Sequence, residues 1–413
     1  MHYFKYKGNR LFCEDVDLER LASIYGTPLY VYSLRTLREH FLKLKDAFKD
    51  LNPLICYSVK ANPNLAILKH LDKLGSGFDI VSAGELFRLK FLRVEPKKIV
   101  YAGIGKTEEE LRQAIKYGIR IINVESLQEL LLIEKICKFL KKSQDVCLRF
   151  NPYLRSDYAH PYTTTARKEN KFGLTKRELT EAFKLSLGFK RVRICGLHIH
   201  IGSQITEVRP YMEAIHKVKK VVEYIERNFA EIEIFNIGGG LAAQYTQETV
   251  QTAHKFAKKI LPLLKDMGLK IILEPGRFII ANAGVLLTKV IYTKKREAKN
   301  FCIVDAGMND FVRPSLYGAY HRISPVVKRR RECLWDVVGP ICESSDFLGK
   351  SRQLPSLEPG DFLCVFTAGA YGMSMASNYN SRLLGAEVMV DGKRHYLIRE
   401  RQTFKDLISR ERV

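Results

Sequence analysis

Short apolar stretches alternate with amphipathic stretches from residue 54 to residue 275 of this 413-residue chain. The apolar stretches are rich in Ile, Val and Leu on both faces, which is typical of parallel strands covered by helices. Eight of them have the length and composition of strands: Leu54–Val59, Phe78–Val81, Lys98–Tyr101, Arg120–Val124, Asp145–Phe150, Val192–His198, Glu233–Ile237 and Lys270–Leu273. Because these units fit a closed barrel better than a doubly wound sheet, the pattern predicts an α/β fold built on a (β/α)8 TIM barrel.

Four hydroxyl residues in this region each have a carboxylate three residues later. These pairs are Ser82/Glu85, Thr107/Glu110, Ser126/Glu129 and Thr175/Glu178. A hydroxyl and a carboxylate at this spacing can bond the free amide groups at the start of a helix. The pairs therefore predict where four of the barrel helices begin.

After Gly284 the strand-like runs follow one another with little helix between them. They are Val285–Thr293, Phe301–Asp305, Glu332–Val338, Asp361–Thr367, Glu387–Val390 and Lys393–Ile398. A similar run, Pro28–Tyr32, occurs near the N-terminus. We therefore expect a C-terminal antiparallel β domain completed by the N-terminal segment, a sandwich or barrel-like unit of residues 1–32 and 284–413 beside a barrel of residues 33–283.

The chain is strongly basic. Lysine and arginine number 68 against 45 aspartate and glutamate residues, which gives a formal net charge of +23. The dense basic run Lys328–Arg331 has no nucleic-acid-binding motif beside it. We therefore expect no nucleic-acid partner, and we interpret the charge as an attraction for anionic small molecules or as a lysine-rich composition.

The nine cysteines form no CxxC pair, which argues against both a disulfide framework and a structural zinc site. No apolar run approaches the roughly 20 residues of a membrane span. The N-terminus also lacks the apolar stretch of a secretory signal. The sequence therefore predicts a cytoplasmic location and no membrane partner.

Chemistry in such a barrel collects at the C-terminal ends of the strands, and Lys60 follows the first strand. A lysine carried there by a buried strand would be partly desolvated, which would lower its pKa and favour the free amine that a Schiff base needs. On its own, a lysine in this position more often points into water. Its significance depends on the residues that follow the other strands.

Those residues complement a flat, phosphorylated aldehyde. The glycine triplet Gly238–Gly240 could close its amide groups on a phosphate, and Arg277 could pair with the same anion. Glu274 could bind a protonated ring nitrogen, and His200 could stack on the ring, whereas His198 is expected to fill the barrel interior. Each signal is weak alone, but together they predict pyridoxal 5′-phosphate as the cofactor and no metal.

The chain also resembles the fold-type III pyridoxal-phosphate decarboxylases over nearly its whole length. The motifs that carry the resemblance are Tyr25–Tyr32, Tyr57–Asn62, Asp79–Glu85, Asn170–Gly173, Gly196–Gln204, Gly238–Gly240, Glu274–Arg277, Arg313–Tyr317, Gly339–Ser344 and Ala370–Gly372. The resemblance implies a homodimer whose active site is shared across the subunit interface. One departure, Ala166 in place of a glycine, lies in the predicted specificity loop His160–Arg167.

The resemblance implies a role for individual residues. Lys60 would hold the cofactor covalently, His200 would stack on its ring, and Glu274 would bind the ring nitrogen. The other implied cofactor-binding residues are Asp79, Ser203, Gly238, Gly239, Gly240, Arg277 and Tyr371. The implied substrate-binding residues are Arg277, Arg313, Tyr317, Glu343 and Tyr371. Cys342 would protonate the carbon that loses CO2, and it would come with Glu343 from the neighbouring subunit.

Within the family, the resemblance is nearest to the members that decarboxylate meso-2,6-diaminopimelate to L-lysine and CO2, the last step of lysine biosynthesis. The far carboxylate of that substrate needs a cation, which Arg313 with the nearby Tyr317 could supply. The alternative is a related decarboxylase for carboxynorspermidine, ornithine or arginine. The last two substrates lack a second amino-acid head group, so this residue pair argues against them.

Two further alternatives lie outside the family. A metal-dependent barrel hydrolase could use His198 and His200 as a ligand pair, but the sequence shows no set of His or Asp residues at other strand ends to complete the site. A protein that keeps the fold only for binding is the other alternative. The presence of both Lys60 and Cys342 argues against it.

Overall fold

The computed structural model describes residues 2–154, 165–166, 169–246, 250–297, 299–329 and 332–413. The chain divides into two compact units, which we call the barrel unit and the β unit. The barrel unit is Phe41–Ala242 with Val250–Phe278, and the β unit is Met1–His40 with Ala243–Thr249 and Ile279–Val413. The limits predicted from the sequence, 33–283 for the barrel, stay a prediction. Most of the predicted specificity loop lies outside the described residues.

The strands of the described residues are numbered in chain order. The first four are β1 (Phe4–Lys7), β2 (Arg10–Cys13), β3 (Val16–Asp17) and β4 (Leu29–Ser33). The next eight are β5 (Leu54–Ser58), β6 (Gly77–Ile80), β7 (Ile99–Tyr101), β8 (Ile121–Val124), β9 (Gln144–Arg149), β10 (Val192–His198), β11 (Ile234–Asn236) and β12 (Lys270–Leu273). The last eight are β13 (Gly284–Lys295), β14 (Asn300–Val304), β15 (Ile323–Pro325), β16 (Glu332–Val338), β17 (Phe347–Pro355), β18 (Phe362–Val365), β19 (Ala386–Asp391) and β20 (Arg394–Arg399).

The α-helices of the described residues are numbered in the same way. Those up to the fifth barrel strand are α1 (Leu18–Tyr25), α2 (Leu34–Ala47), α3 (Leu65–Lys73), α4 (Ala83–Phe91), α5 (Glu108–Tyr117) and α6 (Leu127–Leu140). Those that follow are α7 (Lys176–Ser186), α8 (Arg209–Asn228), α9 (Ala253–Lys265), α10 (Arg277–Ile280), α11 (Arg313–Tyr317) and α12 (Phe404–Ile408). No helix in the described part of the chain is both long and apolar enough to cross a membrane.

Strands β5 to β12 form a closed parallel barrel in chain order, and β12 pairs with β5 to complete it. The predicted TIM barrel is therefore confirmed. Each barrel strand begins and ends within one residue of its predicted bounds. The close agreement follows from the apolar composition of the strands, which the helices bury on the outside and the interior side chains bury on the inside.

The predicted helix starts are confirmed at α4, α5, α6 and α7. Each predicted hydroxyl residue accepts a hydrogen bond from the backbone nitrogen three residues later. At α5 and α7 the glutamate side chain also accepts a hydrogen bond from the backbone nitrogen of the hydroxyl residue, which completes a capping box. At α4 and α6 the carboxylates of Glu85 and Glu129 instead bond the nitrogen atoms of Val81 and Glu125, one residue before the cap.

The inward-facing side chains of the barrel form an apolar layer and a polar layer. The apolar layer is a buried cluster of Cys56, Val100, Ile121, Cys147, Cys195, Ile234 and Ile272. Residues two positions apart on a strand face the same side, and two positions after five of these residues come Ser58, Asn123, Arg149, Asn236 and Glu274. The polar side chains therefore meet near the C-terminal ends of the strands, above an apolar floor.

Two barrel positions are glycine because no side chain fits there. A Cβ atom on Gly196 would lie 2.9 Å from Cys147 Sγ and closer still to the backbone oxygen of Ile234. A Cβ atom on Gly77 would lie 2.8 Å from Cys56 Sγ. Strands β10 and β6 therefore let neighbouring side chains fill the apolar layer.

The β unit contains a nine-stranded sheet and a small three-stranded sheet. The main path of the large sheet is β17-β16-β14-β13-β4-β19-β20, with β18 paired to β13 and β15 paired to β18. Strand β4 lies between β13 and β19, so the N-terminal segment completes the sheet as predicted. The sheet is mixed rather than purely antiparallel, because β4 runs parallel to β19 and β14 runs parallel to β16. Neither β4 and β19 nor β14 and β16 are joined by a hairpin, so no tight turn forces either pair to be antiparallel.

Candidate active site

Lys60 lies at the mouth of the barrel, in a single 3-10 turn, Val59–Ala61, that follows β5. The lysine is therefore in the turn itself, two residues beyond the strand. Its Nζ atom lies 3.4 Å from Oδ2 of Asp79 on the neighbouring strand β6, and its side chain is 37% exposed. The amine thus combines a fixed carboxylate partner with access from outside.

Asp79 is a completely buried carboxylate. Its Oδ2 atom accepts a hydrogen bond of 2.7 Å from the Ser58 hydroxyl, and its Oδ1 atom has no hydrogen-bond partner among the described residues. Burial raises the pKa of Asp79 to about 6, although the charge of Lys60 and the Ser58 hydrogen bond oppose the shift. Asp79 is therefore a buried acid whose pKa is raised by burial, with the Lys60 amine and the Ser58 hydroxyl as the partners that favour its charged form.

Glu274 follows β12 directly and is buried in the barrel interior. Its Oε1 atom accepts hydrogen bonds from the amides of Asn123 (3.0 Å) and Asn236 (2.6 Å), and its Oε2 atom lies 3.2 Å from His198 Nε2. Burial acts to raise its pKa, but the interactions with His198, Asn236 and Lys60 outweigh burial and lower the pKa to about 2. Glu274 is therefore an ionised carboxylate with an apolar layer beneath it, suited to a cationic ring nitrogen.

His198, the last residue of β10, and His200, two residues after it, have different partners. His198 is buried and contacts Glu274, so it fills the interior and also belongs to the site. His200 Nδ1 accepts a hydrogen bond of 3.2 Å from the Gly239 nitrogen. Burial and the charges of Lys60 and Arg149 hold the pKa of His200 well below its usual value, so its ring is neutral.

These separate partners argue against the histidines acting as a metal-ligand pair. Within the described ranges, no group of three or more His, Cys, Asp and Glu side chains could hold a metal ion. The neutral ring of His200 is suited to stacking instead.

The glycine triplet Gly238–Gly240 forms a turn into which only glycine fits. A Cβ atom on Gly240 would lie 2.5 Å from the Tyr211 hydroxyl, and one on Gly239 would clash with the backbone oxygen of Glu274. Gly238 and Gly240 also have φ angles of +70° and +107°, which favour glycine. The turn therefore packs its backbone closely against its neighbours, and the nitrogens of Gly238 and Gly239 donate hydrogen bonds to Asn236 Oδ1 (3.0 Å) and His200 Nδ1 (3.2 Å).

Arg277 and Ser203 form a polar pair in the barrel unit. The Nε and Nη2 atoms of Arg277 lie 3.2 and 3.0 Å from Ser203 Oγ. Arg277 is buried. A buried guanidinium with an oriented hydroxyl is suited to bind an anion.

The β unit contains a second cationic group, the buried Arg313. Its guanidinium lies 5.8 Å from the ring centre of Tyr245, 5.5 Å from that of Tyr317 and 5.8 Å from that of Tyr371. The structure therefore brings together Arg313, Tyr317 and Tyr371, three residues predicted from the sequence. A cation held by aromatic rings is suited to bind a carboxylate.

Cys342 and Glu343 lie in a polar loop of the β unit, between β16 and β17. Among the nine cysteines, Cys342 is the exposed one. Glu343 accepts hydrogen bonds from the hydroxyls of Tyr379 and Ser345, and these bonds lower its pKa. The thiol and the carboxylate are therefore both accessible from outside the β unit.

Several residues that contact Glu274 or Asp79 were not predicted from the sequence. They are Ser58, Asn123 and Asn236. His198 was expected in the barrel interior, but its contact with Glu274 was not predicted. One signal could have found them. Ser58, Asn123 and Asn236 are polar residues at or near the ends of otherwise apolar strands, each on the same face as an apolar residue two positions earlier.

A lysine beside a carboxylate, an ionised carboxylate in the interior, a neutral imidazole and a glycine turn match the aldehyde, ring nitrogen, ring face and phosphate of pyridoxal 5′-phosphate. The barrel therefore defines a pyridoxal-phosphate-dependent class of enzyme. Comparison with known proteins narrows this class further.

The pyridoxal binding domain of the pyridoxal-dependent decarboxylases matches residues 34–281. The diaminopimelate decarboxylase of Haemophilus influenzae is 45% identical over 410 residues, which cover 98% of this chain and 98% of that protein. The crystal structure of diaminopimelate decarboxylase from M. jannaschii with L-lysine has a TM-score of 0.95 and 39% identity over 99% of this chain and 98% of that chain. The crystal structure of diaminopimelate decarboxylase from Helicobacter pylori with L-lysine has a TM-score of 0.91 and 42% identity, and the match covers 95% of this chain and 98% of that chain.

The chain therefore belongs to the pyridoxal-dependent decarboxylases and, within them, to the diaminopimelate decarboxylase family. Its cofactor is pyridoxal 5′-phosphate, which agrees with the prediction from the sequence. The same comparison confirms the fold-type III resemblance.

Replacing Asn123 with leucine removes one donor to Glu274 and keeps the side-chain size. We expect this change to destabilise the protein by about 1–3 kcal/mol at pH 7, because a buried ionised carboxylate loses a hydrogen bond. The folded-state pKa of Glu274, about 2, lies below the roughly 4.3 of an unfolded glutamate. The loss of stability in Asn123→Leu is therefore complete above the unfolded pKa of roughly 4.3. It shrinks as the pH falls from there towards 2.

Urea unfolding of the apoprotein across this pH range measures the difference. Asn228→Leu, at the exposed end of α8, is the control for the same substitution on the surface. Two results would contradict the assignment of an ionised Glu274. One is that Asn123→Leu is as stable as the wild type at pH 7, and the other is that its loss of stability stays the same as the pH falls.

Proposed function

We propose that this chain decarboxylates meso-2,6-diaminopimelate to L-lysine and CO2. One observation carries the proposal. The barrel holds an ionised Glu274 in its interior and Lys60 beside Asp79 at its mouth. The relatives named diaminopimelate decarboxylase support the choice of substrate, and two of their structures contain L-lysine.

The residues of the barrel unit fit the cofactor group by group. Lys60 would hold it through its aldehyde, with His200 on the ring face and Glu274 at the ring nitrogen. Ser203, Arg277 and Gly238–Gly240 would bind its phosphate, with Asp79 and Tyr371 completing the set of cofactor-binding residues. When bound, pyridoxal 5′-phosphate supplies an electron sink for the pair released as the carbon–carbon bond to CO2 breaks.

The chain's own residues control the protons of the reaction. Asp79 Oδ2, which lies 3.4 Å from Lys60 Nζ, would orient that amine and stabilise its positive charge. Glu274 stays ionised and would hold a proton on the ring nitrogen of the bound cofactor. The Cys342 thiol would deliver a proton to the carbon that has lost CO2, so that hydrogen replaces the carboxylate.

The far end of the substrate carries a carboxylate and an ammonium. We assign the carboxylate to Arg277, Arg313 and Tyr317, with Tyr371 as a further substrate-binding residue, because a buried guanidinium and phenolic hydroxyls bind such a group well. The ammonium is assigned to Glu343. A decarboxylase for ornithine or arginine would have no use for a buried cation such as Arg313, since those substrates have no second carboxylate.

We further propose that the enzyme works as a homodimer, in which Cys342 and Glu343 of the partner subunit complete each active site. The exposure of both side chains on the β unit supports this proposal. A cytoplasmic location fits an enzyme that ends an amino-acid biosynthesis.

Turnover of single pure substrates tests the proposed function. We expect CO2 release from meso-2,6-diaminopimelate, with kcat/KM for ornithine, arginine and carboxynorspermidine lower by at least about a hundredfold, because each leaves buried polar groups without a partner. Lys60→Ala is the inactive control. Equal or faster turnover of any of the other three amines would overturn the substrate assignment.

Co-expression of two inactive variants tests the shared site. Lys60→Ala and Cys342→Ala each disable every site of their own homodimers, but a mixed dimer has one site with both residues intact. Random pairing in a symmetric dimer predicts recovery of about a quarter of the wild-type activity. A mixture no more active than either variant alone would show that each subunit uses its own Cys342.

A further inference from the structure

The loop that carries Cys342 and Glu343 is held by a second loop of the β unit, residues 377–382. The Tyr379 hydroxyl donates a hydrogen bond to Glu343 Oε1. The Cys342 nitrogen donates one of 3.3 Å to Asn380 Oδ1. Two neighbouring residues of one short turn therefore contact two neighbouring residues of the other loop.

Glu343 is oriented although it is exposed. Its Oε1 atom has the Tyr379 hydroxyl as a donor, and its Oε2 atom has the Ser345 hydroxyl at 3.0 Å. Exposed glutamate side chains ordinarily sample several rotamers. Two hydroxyl donors, one at each oxygen, instead fix the plane of this carboxylate, and both favour its ionised form.

The turn that presents Tyr379 has an unusual backbone. Asn380 and Ser381 have φ angles of +54° and +55°, in the left-handed region that non-glycine residues rarely occupy. Such conformations persist where surrounding contacts hold them. Asn378 supplies two of these contacts, since its Nδ2 atom donates to Gln402 Oε1 at 2.6 Å and to the backbone oxygen of Arg382 at 2.8 Å.

From this geometry we propose that Tyr379 is a positioning residue, which aims the Glu343 carboxylate at the far ammonium of the substrate. The inference rests on the proposed function, in which Glu343 of the partner subunit binds that ammonium. Each carboxylate oxygen has two acceptor positions. Glu343 can therefore keep its bonds to Tyr379 and Ser345 and still accept a hydrogen bond from the substrate.

The alternative is that the Tyr379 contact only ties two surface loops together. In that case its loss would leave substrate binding unchanged. The two interpretations differ in KM, because a carboxylate that loses one donor would be less well oriented and would bind the ammonium more weakly.

The test compares Tyr379→Phe with Tyr396→Phe, which changes an exposed tyrosine of β20. We expect Tyr379→Phe to raise KM for meso-2,6-diaminopimelate by roughly tenfold with little change in kcat. Tyr396→Phe should leave both constants at their wild-type values. In a Glu343→Gln background, Tyr379→Phe should add no further effect, because the group that it positions is already neutral.

The outcomes separate this inference from the proposed function. If Glu343→Gln leaves KM unchanged, the proposed role of Glu343 itself fails. If Glu343→Gln raises KM while Tyr379→Phe does not, only the positioning role of Tyr379 is overturned. A further rise in KM when both changes are combined would also contradict it, because Tyr379 would then act independently of Glu343.

Discussion

The active site depends on an ionised carboxylate inside the barrel. Taking an isolated carboxylate out of water costs several kcal/mol, and Glu274 lies above an apolar layer of side chains. Three strands offset this cost by each contributing one partner, namely Asn123 of β8, His198 of β10 and Asn236 of β11. The contact with Asn123 needs the barrel to be closed, since β8 faces Glu274 only when β12 pairs with β5, whereas β11 pairs directly with β12 and β10 pairs with β11.

The two buried carboxylates of the site, Glu274 and Asp79, have different pKa values because their surroundings differ. Glu274 receives three partners and stays ionised, whereas Asp79 receives one hydroxyl and one ammonium, so that burial raises its pKa. The first can hold a permanent charge against a ring nitrogen, and the second lies beside the Lys60 amine. Pairs of acids that are separated in this way serve different roles in one reaction.

Much of this could be predicted from the sequence. The eight barrel strands and four helix starts follow from local patterns of apolar residues and caps, and Lys60 and Glu274 follow from their positions after strands. The contact of Asn123 with Glu274 could not be predicted in the same way, because β8 is four strands away from β12 and faces Glu274 only across the closed barrel, whereas Asn236 lies on β11, which pairs directly with β12. The parallel pairing of β4 with β19 was also beyond local patterns, since the two strands lie at opposite ends of the chain.

The protonation state of the cofactor's ring nitrogen tests the central claim most directly. The enzyme can be loaded with pyridoxal 5′-phosphate that carries 15N in the ring, and the nitrogen chemical shift can be followed with pH. Because the pKa of Glu274 is held at about 2, the account predicts a shift in the protonated range throughout the neutral region. A shift typical of the unprotonated ring at neutral pH would contradict it.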